Sequence, residues 1–228
     1  VAQSERDSFL LFVGDRLEDY HSAFKLASGG VSAMSSKQPD ATSLRWQMAY
    51  PRAYAPLVSS LARAYDVPEY LVYGIMLQES RFRSYQVSSA DAVGALQMIP
   101  STAEMVAAEL DIEYDARRFP EPRVGFQYSI FYMSKHLLLF ENITFAAASY
   151  NGGPHRVGPW VMREKGKSMP FVVEEFAYDE SRHYCRKVAE HMLRYLYLYE
   201  ADVQRRGEIL DALFPVEVNF DIPEDVGY

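Results

Sequence analysis

Residues 68–80 read PEYLVYGIMLQES, an apolar segment that ends beside a carboxylic acid. Proline is well tolerated in the first turn of a helix, so this segment is predicted to form one helix over its whole length. Leu71, Ile75 and Glu79 are spaced by four and therefore share one helix face. The sequence thus predicts a helix that carries a glutamate on the same side as two large aliphatic side chains.

An unpaired glutamate on such a face loses much of its hydration. Desolvation penalises the charged form, which raises the pKa of the carboxyl group and lets it donate a proton near neutral pH. That protonation state is the one a general acid requires. From spacing alone, two alternatives for Glu79 stay open: a solvated side chain near a helix end, or an ion pair with Arg81 or Arg83.

Apolar residues recur at helical spacing in much of the remaining sequence. They predict further helices at residues 8–27, 54–65, 102–110, 122–140, 145–148 and 179–204. The motif STAE at 101–104 matches a capping box, in which the serine hydroxyl and the glutamate carboxylate satisfy free amides at a helix start. The last helix carries apolar residues along one side: Tyr184, Val188, Met192, Tyr195 and Tyr199. Few segments alternate as strands do, so the predicted fold class is mainly α.

The N-terminal part is predicted to be a short helical segment joined to the main domain by a linker. Residues 8–27 carry four residues at the spacing of one buried face: Leu17, Tyr20, Phe24 and Ala27. The stretch 28–39 is rich in glycine, serine and proline, as interdomain connections are. We therefore place a boundary near residue 42, with residues 1–42 as helical segment and linker and residues 43–228 as the main domain.

Bulk composition argues against several function classes. The net charge is −8 and no Lys/Arg-rich stripe is present to neutralise phosphates, which makes a nucleic-acid partner improbable. No apolar run approaches the roughly 20 residues that a membrane-spanning helix needs. A single cysteine, Cys185, and five scattered histidines do not make a zinc-ligand set, so we expect no metal and no cofactor. Residues 1–7 have neither the basic start nor the cleavage pattern of a signal peptide.

Three short motifs follow one another along the chain. They are ES at residues 79–80, GALQMIPSTA at 94–103 and ASYNGG at 148–153. In this order and spacing they resemble the motifs of the soluble lytic transglycosylases, members of the goose-type lysozyme superfamily. Weaker matches at 50–54 and 179–184 extend the resemblance at both ends. The sequence departs from the family pattern at Ala95-Leu96, where Leu-Met is preferred, and at Ser149, where alanine is preferred.

The resemblance implies a lysozyme-like helical catalytic domain, with residues 8–27 as the end of a preceding helical-repeat region. It also implies an enzyme that cuts the peptidoglycan bond between N-acetylmuramic acid and N-acetylglucosamine. Glu79 would protonate the glycosidic oxygen and then accept the proton of the muramic C6 hydroxyl as that oxygen attacks C1. Most glycosidases use two carboxyl groups, whereas here the substrate's own acetamido group would replace the second.

The resemblance further implies a set of substrate-binding residues: Ser80, Gln97, Tyr150, Asn151 and Glu180. The hydroxyl of Tyr150 and the amide of Gln97 would lie near Glu79 or the acetamido group, and Asn151 would hold the loop or the sugar. Ser80 would orient the Glu79 carboxylate or cap the helix end. Glu180 would meet the peptide stem.

Each of these residues also has a purely structural interpretation. The alternatives are a core tyrosine for Tyr150, an exposed side chain for Gln97 and a turn residue for Asn151, since asparagine before glycine is common in turns. For Glu180 the alternative is an ion pair with Arg182 or Arg186.

Two other functions remain open at this point. A goose-type hydrolytic muramidase would use the same Glu79 with a positioned water and a further acid, for which Asp91 is the candidate. A non-catalytic glycan-binding module would keep the fold without the chemistry. In either case the expected partner is the peptidoglycan glycan strand, with other envelope proteins as further candidates, and we expect a monomer in the periplasm or cell envelope.

Overall fold

The computed structural model describes residues 3–28 and 39–218. Within these two ranges the regular secondary structure is helical, and β pairing is limited to isolated bridges. The prediction of a mainly α fold is confirmed. The helices are α1 (Gln3–Arg16), α2 (Tyr20–Ser28), α3 (Leu44–Ala49), α4 (Ala55–Ala64), α5 (Glu69–Ser80), α6 (Pro100–Glu109), α7 (Pro122–Phe140), α8 (Ile143–Gly152), α9 (Pro154–Arg163), α10 (Met169–Glu174), α11 (Asp179–Tyr199) and α12 (Val203–Leu213).

Helix α5 is the central element of the fold. Every side chain from residue 71 to residue 77 is buried, and a helix that is apolar all round belongs in a protein core. The long helix α11 packs along α5 and also against α8, which in turn packs on α7. The predicted buried side of α11 is confirmed for Tyr184, Val188, Met192 and Tyr195, whereas Tyr199 is only half-buried. These helices surround the end of α5, where Glu79 lies.

The predicted helix at 8–27 is wrong as a single element. The helix is interrupted between α1 and α2, where Glu18 adopts a left-handed backbone conformation with φ +53°. The side chain of Asp19 then accepts a hydrogen bond from the Ser22 amide and starts α2. Leu17, predicted to be buried, lies at the break and is 71% exposed. Tyr20 is buried as predicted.

The predicted capping box at 101–104 does not form. Helix α6 begins two residues earlier than expected, with Pro100 in its first turn, and no side chain caps its start. Proline has no amide hydrogen to satisfy and its fixed φ suits the first helical position. Ser101 therefore lies inside the helix, where its hydroxyl cannot serve as an N-cap.

The predicted helix at 179–204 ends at Tyr199 instead. Glu200 is extended, and the carboxylate of Asp202 accepts hydrogen bonds from the amides of Gln204 and Arg205. An aspartate N-cap of this kind satisfies free amide groups and favours the start of a separate helix. The end of the chain is thus α12, not a continuation of α11.

The predicted linker falls mostly on residues 29–38, which lie outside the described residues, and the boundary near residue 42 stays a prediction. Helix α2 packs against α3, and Tyr20 and Ala27 belong to the same hydrophobic cluster as α5. In the two described ranges, each helix is too short or too polar to cross a membrane.

The contact between α5 and α11 gives a test of the packing. A Cβ atom on Gly74 would lie 3.1 Å from the carbonyl oxygen of Val188. Gly74→Val should therefore lower the free energy of unfolding by about 1–3 kcal/mol, because the backbones of α5 and α11 would have to move apart to make room for the side chain. Gly207 in α12 has open space around it, so Gly207→Ala should instead raise stability by about 0.5–1 kcal/mol. Urea unfolding of both variants checks this, and a neutral Gly74→Val would contradict the close approach.

Candidate active site

Glu79 lies in the last turn of α5 and lines a cleft of about 560 Å³. The loop at 88–99 and the start of α6 form one side of this cleft, and α7 contributes Tyr132. The end of α8, the start of α9 and the start of α11 complete it. The sequence brings Glu79 here because the apolar residues before it bury α5 and leave only its C-terminal end open to the cleft.

The carboxyl group of Glu79 is arranged to hold a proton near neutral pH. Desolvation is the main cause and raises its pKa from 4.5 to about 7. The hydroxyl of Tyr184 donates a hydrogen bond to Oε1 over 2.6 Å, which favours the carboxylate and opposes this shift. The negative charge of Glu180 raises the pKa further. Glu79 is therefore a partly buried acid with one hydroxyl donor fixed on it.

The ion pairs considered for Glu79 are absent from the described residues. The guanidinium of Arg83 donates to the carbonyl oxygen of Ser80 instead, and Arg81 forms the left-handed end of α5. Neither cation offsets the loss of hydration, so desolvation dominates at Glu79.

Tyr184 is a site residue that the sequence analysis assigned only to the buried side of α11. Its ring is 6% exposed, and burial raises the pKa of its hydroxyl well above the usual value. The hydroxyl is therefore a permanent donor. The contact with Glu79 spans 105 residues. The only available signal was its position in the segment 179–184, which resembles a family motif.

The loop at 94–97 is held against α5 and α8 by two hydroxyl groups. Ser80 donates to the carbonyl oxygen of Ala95 over 2.8 Å, and Tyr150 donates to that of Leu96 over 2.9 Å. Ser80 is 1% exposed and lies outside the residues that line the cleft. The structure therefore does not place the Ser80 hydroxyl on Glu79 or in the cleft; it anchors the loop.

Gln97 lines the cleft with its amide group fixed by the backbone. Its Nε2 atom donates to the carbonyl oxygens of Gln86 and Gly94, over 3.1 and 2.7 Å. Both Gly94 and Gln97 have positive φ, +85° and +49°, so the loop makes a tight turn that favours glycine at its first position. In this orientation the amide oxygen of Gln97 is the end left to accept a hydrogen bond from a ligand.

Asn151 and Glu180 also line the cleft. The Oδ1 atom of Asn151 accepts a hydrogen bond from the Ser181 hydroxyl over 2.9 Å, which ties the end of α8 to the start of α11. The ion pairs considered for Glu180 do not form, because Arg182 pairs with Asp179 and Arg186 pairs with Glu174. Glu180 therefore presents an exposed negative charge to the cleft.

Of the six predicted site residues, the structure brings five into one cleft: Glu79, Gln97, Tyr150, Asn151 and Glu180. Other residues also line the cleft and were not singled out as site residues from the sequence, among them Met98, Met105, Tyr132 and His155. The tilted ring of Tyr132 lies 5.9 Å from that of Tyr150. Helical spacing could not distinguish Tyr132 from the other apolar residues of α7.

The acid proposed for a hydrolytic reaction, Asp91, is not in the cleft. It occupies a turn with φ +59°, and its amide donates to the carbonyl oxygen of Ser88. Among the described residues that line the cleft, the carboxyl groups are those of Glu79 and Glu180.

A helical fold built around one desolvated glutamate in an open cleft is the lysozyme-like class of architecture. The model of the Transglycosylase SLT domain family matches residues 56–170, half of the chain. The chain belongs to this family.

Known relatives and solved structures agree with this assignment. The chain is 30% identical over 145 residues to the soluble lytic murein transglycosylase of Salmonella typhimurium, covering 61% of this chain and 22% of the relative. It is 46% identical over 52 residues to the membrane-bound lytic murein transglycosylase C of Haemophilus ducreyi, covering 23% and 14%. The chain thus spans a quarter or less of the length of these relatives.

Two solved structures share the fold. The soluble lytic transglycosylase of Escherichia coli superposes with a TM-score of 0.76 at 20% identity, covering 92% of this chain and 33% of that chain. An inactive glutamate-to-glutamine variant of the Slt enzyme of Pseudomonas aeruginosa gives a TM-score of 0.68 at 22% identity, covering 91% and 31%. The lysozyme-like fold predicted from the motifs is confirmed.

The raised pKa of Glu79 predicts a pH-dependent gain in stability for Glu79→Gln. The native pKa, about 7, lies above the 4.5 of an ordinary glutamate. Between these values the native state keeps a proton that the unfolded chain has lost, so wild-type stability falls as pH rises, by about 3 kcal/mol in all. Glu79→Gln should therefore be more stable than wild type above pH 7 and similar to it at pH 4.

Urea unfolding at a series of pH values checks this prediction. Glu175→Gln is the control, because it removes an exposed carboxylate outside the cleft. An advantage of Glu79→Gln that is the same at pH 4 and pH 8 would contradict the desolvated acid.

The hydrogen bond from Tyr184 lowers the pKa of Glu79, so its removal should raise that pKa. Tyr184→Phe deletes a donor to the carboxylate and should raise the pKa of Glu79 above its wild-type value. Tyr195→Phe is a matched control, since Tyr195 is buried on the same helix but donates to the carbonyl oxygen of Pro51. Carbon-13 NMR titration of the Glu79 carboxyl group measures the shift. A lowered pKa in Tyr184→Phe, or equal shifts in both variants, would show that the bond does not stabilise the carboxylate.

Proposed function

We propose that this chain is the catalytic domain of a peptidoglycan lytic transglycosylase. It cleaves the β-1,4 bond between N-acetylmuramic acid and N-acetylglucosamine without water and leaves 1,6-anhydromuramic ends. The observation that carries this proposal is the desolvated carboxyl group of Glu79, with a pKa near 7, in an open cleft. Membership of the SLT family and relatives named as lytic murein transglycosylases support it.

Glu79 acts first as an acid and then as a base. It donates its proton to the glycosidic oxygen, the bond from that oxygen to C1 of the muramic residue breaks, and the glucosamine residue leaves with a C4 hydroxyl. The acetamido group of the muramic residue stabilises the cationic C1. The Glu79 carboxylate then takes the proton of the C6 hydroxyl as that oxygen bonds to C1. Glu79 ends protonated, and the two steps consume no water.

The surroundings of Glu79 suit both halves of this cycle. Desolvation favours the protonated acid needed for the first step, while the Tyr184 hydroxyl stabilises the carboxylate present between the steps. A group that must give and retake a proton works best with a pKa near the working pH. Desolvation and the Tyr184 hydrogen bond shift the pKa of Glu79 in opposite directions, and this balance supports Glu79 as the single acid and base.

Four other cleft residues are proposed to bind the substrate. The amide oxygen of Gln97 accepts from a sugar N–H or O–H group, because its nitrogen is held by the loop. The amide nitrogen of Asn151 donates to the glycan, because its oxygen is held by Ser181. Tyr150 provides a ring wall, and the exposed charge of Glu180 meets an ammonium group of the peptide stem. Ser80 supports the loop from behind.

Peptidoglycan glycan strands are the proposed partner, which locates the activity in the periplasm or cell envelope. Other proteins of the envelope are further candidate partners, and we propose that the domain acts as a monomer. A hydrolytic muramidase is the alternative that one observation favours, since Glu180 supplies a second carboxyl group to the cleft.

The decisive experiment is mass spectrometry of soluble products released from purified peptidoglycan. Wild type should release anhydromuropeptides, and Glu79→Gln should release them at a rate lower by about 10²–10⁴-fold, the usual contribution of positioned acid–base catalysis. Glu175→Gln removes the same type of carboxyl group outside the cleft and should keep wild-type activity.

Two other outcomes would reject the proposal in different ways. Products with reducing ends would identify a hydrolytic muramidase. Binding of the wild-type protein to peptidoglycan with no products from either protein would identify a glycan-binding module.

A further inference from the structure

The turn that follows Glu79 has an unfavourable backbone. Arg81 and Phe82 are consecutive non-glycine residues with positive φ, +52° and +67°. Side chains disfavour this left-handed region, and a bulky aromatic residue there is an outlier. Such a turn persists only where surrounding contacts hold it. Because it begins two residues after Glu79, those contacts bear on the position of the acid.

Helix α2 supplies contacts to both residues of the turn. The Nδ1 atom of His21 donates a hydrogen bond to the carbonyl oxygen of Arg81 over 2.9 Å, since a carbonyl can only accept. The ring of Phe24 meets the ring of Phe82 edge-on, with centroids 5.9 Å apart. Phe82 is 2% exposed. Helix α2 thus contacts the turn at two points, the carbonyl oxygen of Arg81 and the buried ring of Phe82.

Helix α2 is itself fixed on the core. Tyr20 is buried and meets Tyr54 edge-on at 5.0 Å. The hydroxyl of Tyr54 is hydrogen-bonded to that of Ser84, just beyond the turn. Contacts from α2 therefore reach the segment after α5 both directly and through Tyr54.

On its other side the end of α5 rests on the loop at 94–97. The Ser80 hydroxyl donates to Ala95, and the Arg83 side chain donates back to the carbonyl oxygen of Ser80. The last turn of α5 is consequently held between α2 and the loop. Within the described residues, α2 is the helix that contacts both residues with positive φ, Arg81 through a hydrogen bond and Phe82 through a ring pair.

We propose that α2 positions the acid: His21 and Phe24 hold the turn at residues 81–82, and the turn fixes the end of α5 from which Glu79 meets Tyr184. His21 and Phe24 are positioning residues, since neither lines the cleft. The kinetic part of this proposal rests on the proposed transglycosylase function; the structural part does not.

Loss of this support has a specific consequence for Glu79. If the turn relaxes, the last turn of α5 frays. The carboxyl group then gains water, which lowers its pKa, and loses the Tyr184 hydrogen bond, which raises its pKa by a smaller amount. The groups that face Glu79 are Tyr184 and Glu180 of α11 and Tyr150 of α8. None of these three residues is changed in a variant of His21 or Phe24. Because desolvation is the main cause of the raised pKa, hydration should bring the pKa down.

The first test needs no turnover. Carbon-13 NMR titration of the Glu79 carboxyl group is compared between wild type, His21→Ala, Phe24→Ala and the double variant. We expect the double variant to titrate at least about one pH unit below wild type, well within the range by which burial shifts a glutamate. Ser22→Ala, at an exposed position of the same helix, should titrate as wild type does.

A rescue variant separates positioning from simple packing. The side-chain nitrogen of asparagine reaches about as far as Nδ1 of histidine, so His21→Asn should keep the bond to Arg81 and titrate close to wild type. His21→Ala should not. If Phe24→Ala fails to fold, the comparison of His21→Ala with His21→Asn still decides, because it removes only one exposed hydrogen bond.

The second test is kinetic. With peptidoglycan as substrate, the double variant should lose about 10–100-fold in kcat with KM changed less than about threefold, since small misplacements of a catalytic group cost rate more than binding. The high-pH limb of kcat, where Glu79 loses its proton, should move to lower pH.

The outcomes are distinct. A folded double variant with wild-type titration and wild-type kcat would overturn the proposal and leave α2 as a cover for the core. Wild type without anhydromuropeptide release would reject the proposed function, while the NMR titration would still decide whether α2 positions Glu79.

Discussion

The desolvation of the Glu79 carboxyl group is the constraint around which the rest of the structure is arranged. Burial of α5 removes water from the end of that helix and raises the pKa of the acid to about 7, while one hydroxyl, that of Tyr184, limits the shift. Arg81 and Arg83 are close in sequence but form no ion pair with Glu79 among the described residues, and the Arg83 side chain donates to the carbonyl oxygen of Ser80. A full ion pair would hold the carboxylate charged and unable to donate. The pKa of Glu79 therefore depends both on the absence of an ion pair with a nearby arginine and on the hydrogen bond from Tyr184.

Hydroxyl groups assemble the cleft around this acid. Ser80, Tyr150 and Ser181 each bond to a loop or helix that carries another cleft residue, so the positions of Gln97 and Asn151 follow from buried and partly buried contacts. Hydrogen bonds of this kind contribute modestly to stability, about 1 kcal/mol each, but leaving a buried partner unpaired costs more. The cleft is thus fixed by interactions that tolerate few substitutions. The amide ends of Gln97 and Asn151 that are not used in these bonds are the ones available to a ligand.

An acid held in this way reduces stability at the pH where it is used. Above pH 7 the native state carries a poorly hydrated carboxylate that the unfolded chain would solvate fully. The surrounding core must compensate, and α5 is in fact buried over seven successive residues. The left-handed turn after Glu79 adds a second unfavourable feature, which contacts from α2 offset. A left-handed turn and a desolvated acid therefore occur together at the end of the central helix that faces the cleft.

By itself the sequence determined the helical class, the long apolar helices and five residues of the cleft, because helical spacing and the motifs at 94–103 and 148–153 are local properties. The helices α3, α9 and α10 were not predicted. Helices α3 and α10 have only six residues each, too few to show a helical repeat. Helix α9 carries Pro159 in its interior, where proline usually ends a helix. Caps and breaks at Glu18, Pro100 and Asp202 depend on backbone geometry that the apolar pattern does not record. Only the tertiary structure decided that Tyr184 meets Glu79 across 105 residues, that Ser80 anchors a loop, and that α2 contacts the turn at residues 81–82. These contacts join distant segments, and a distance between side chains exists only once the chain has folded.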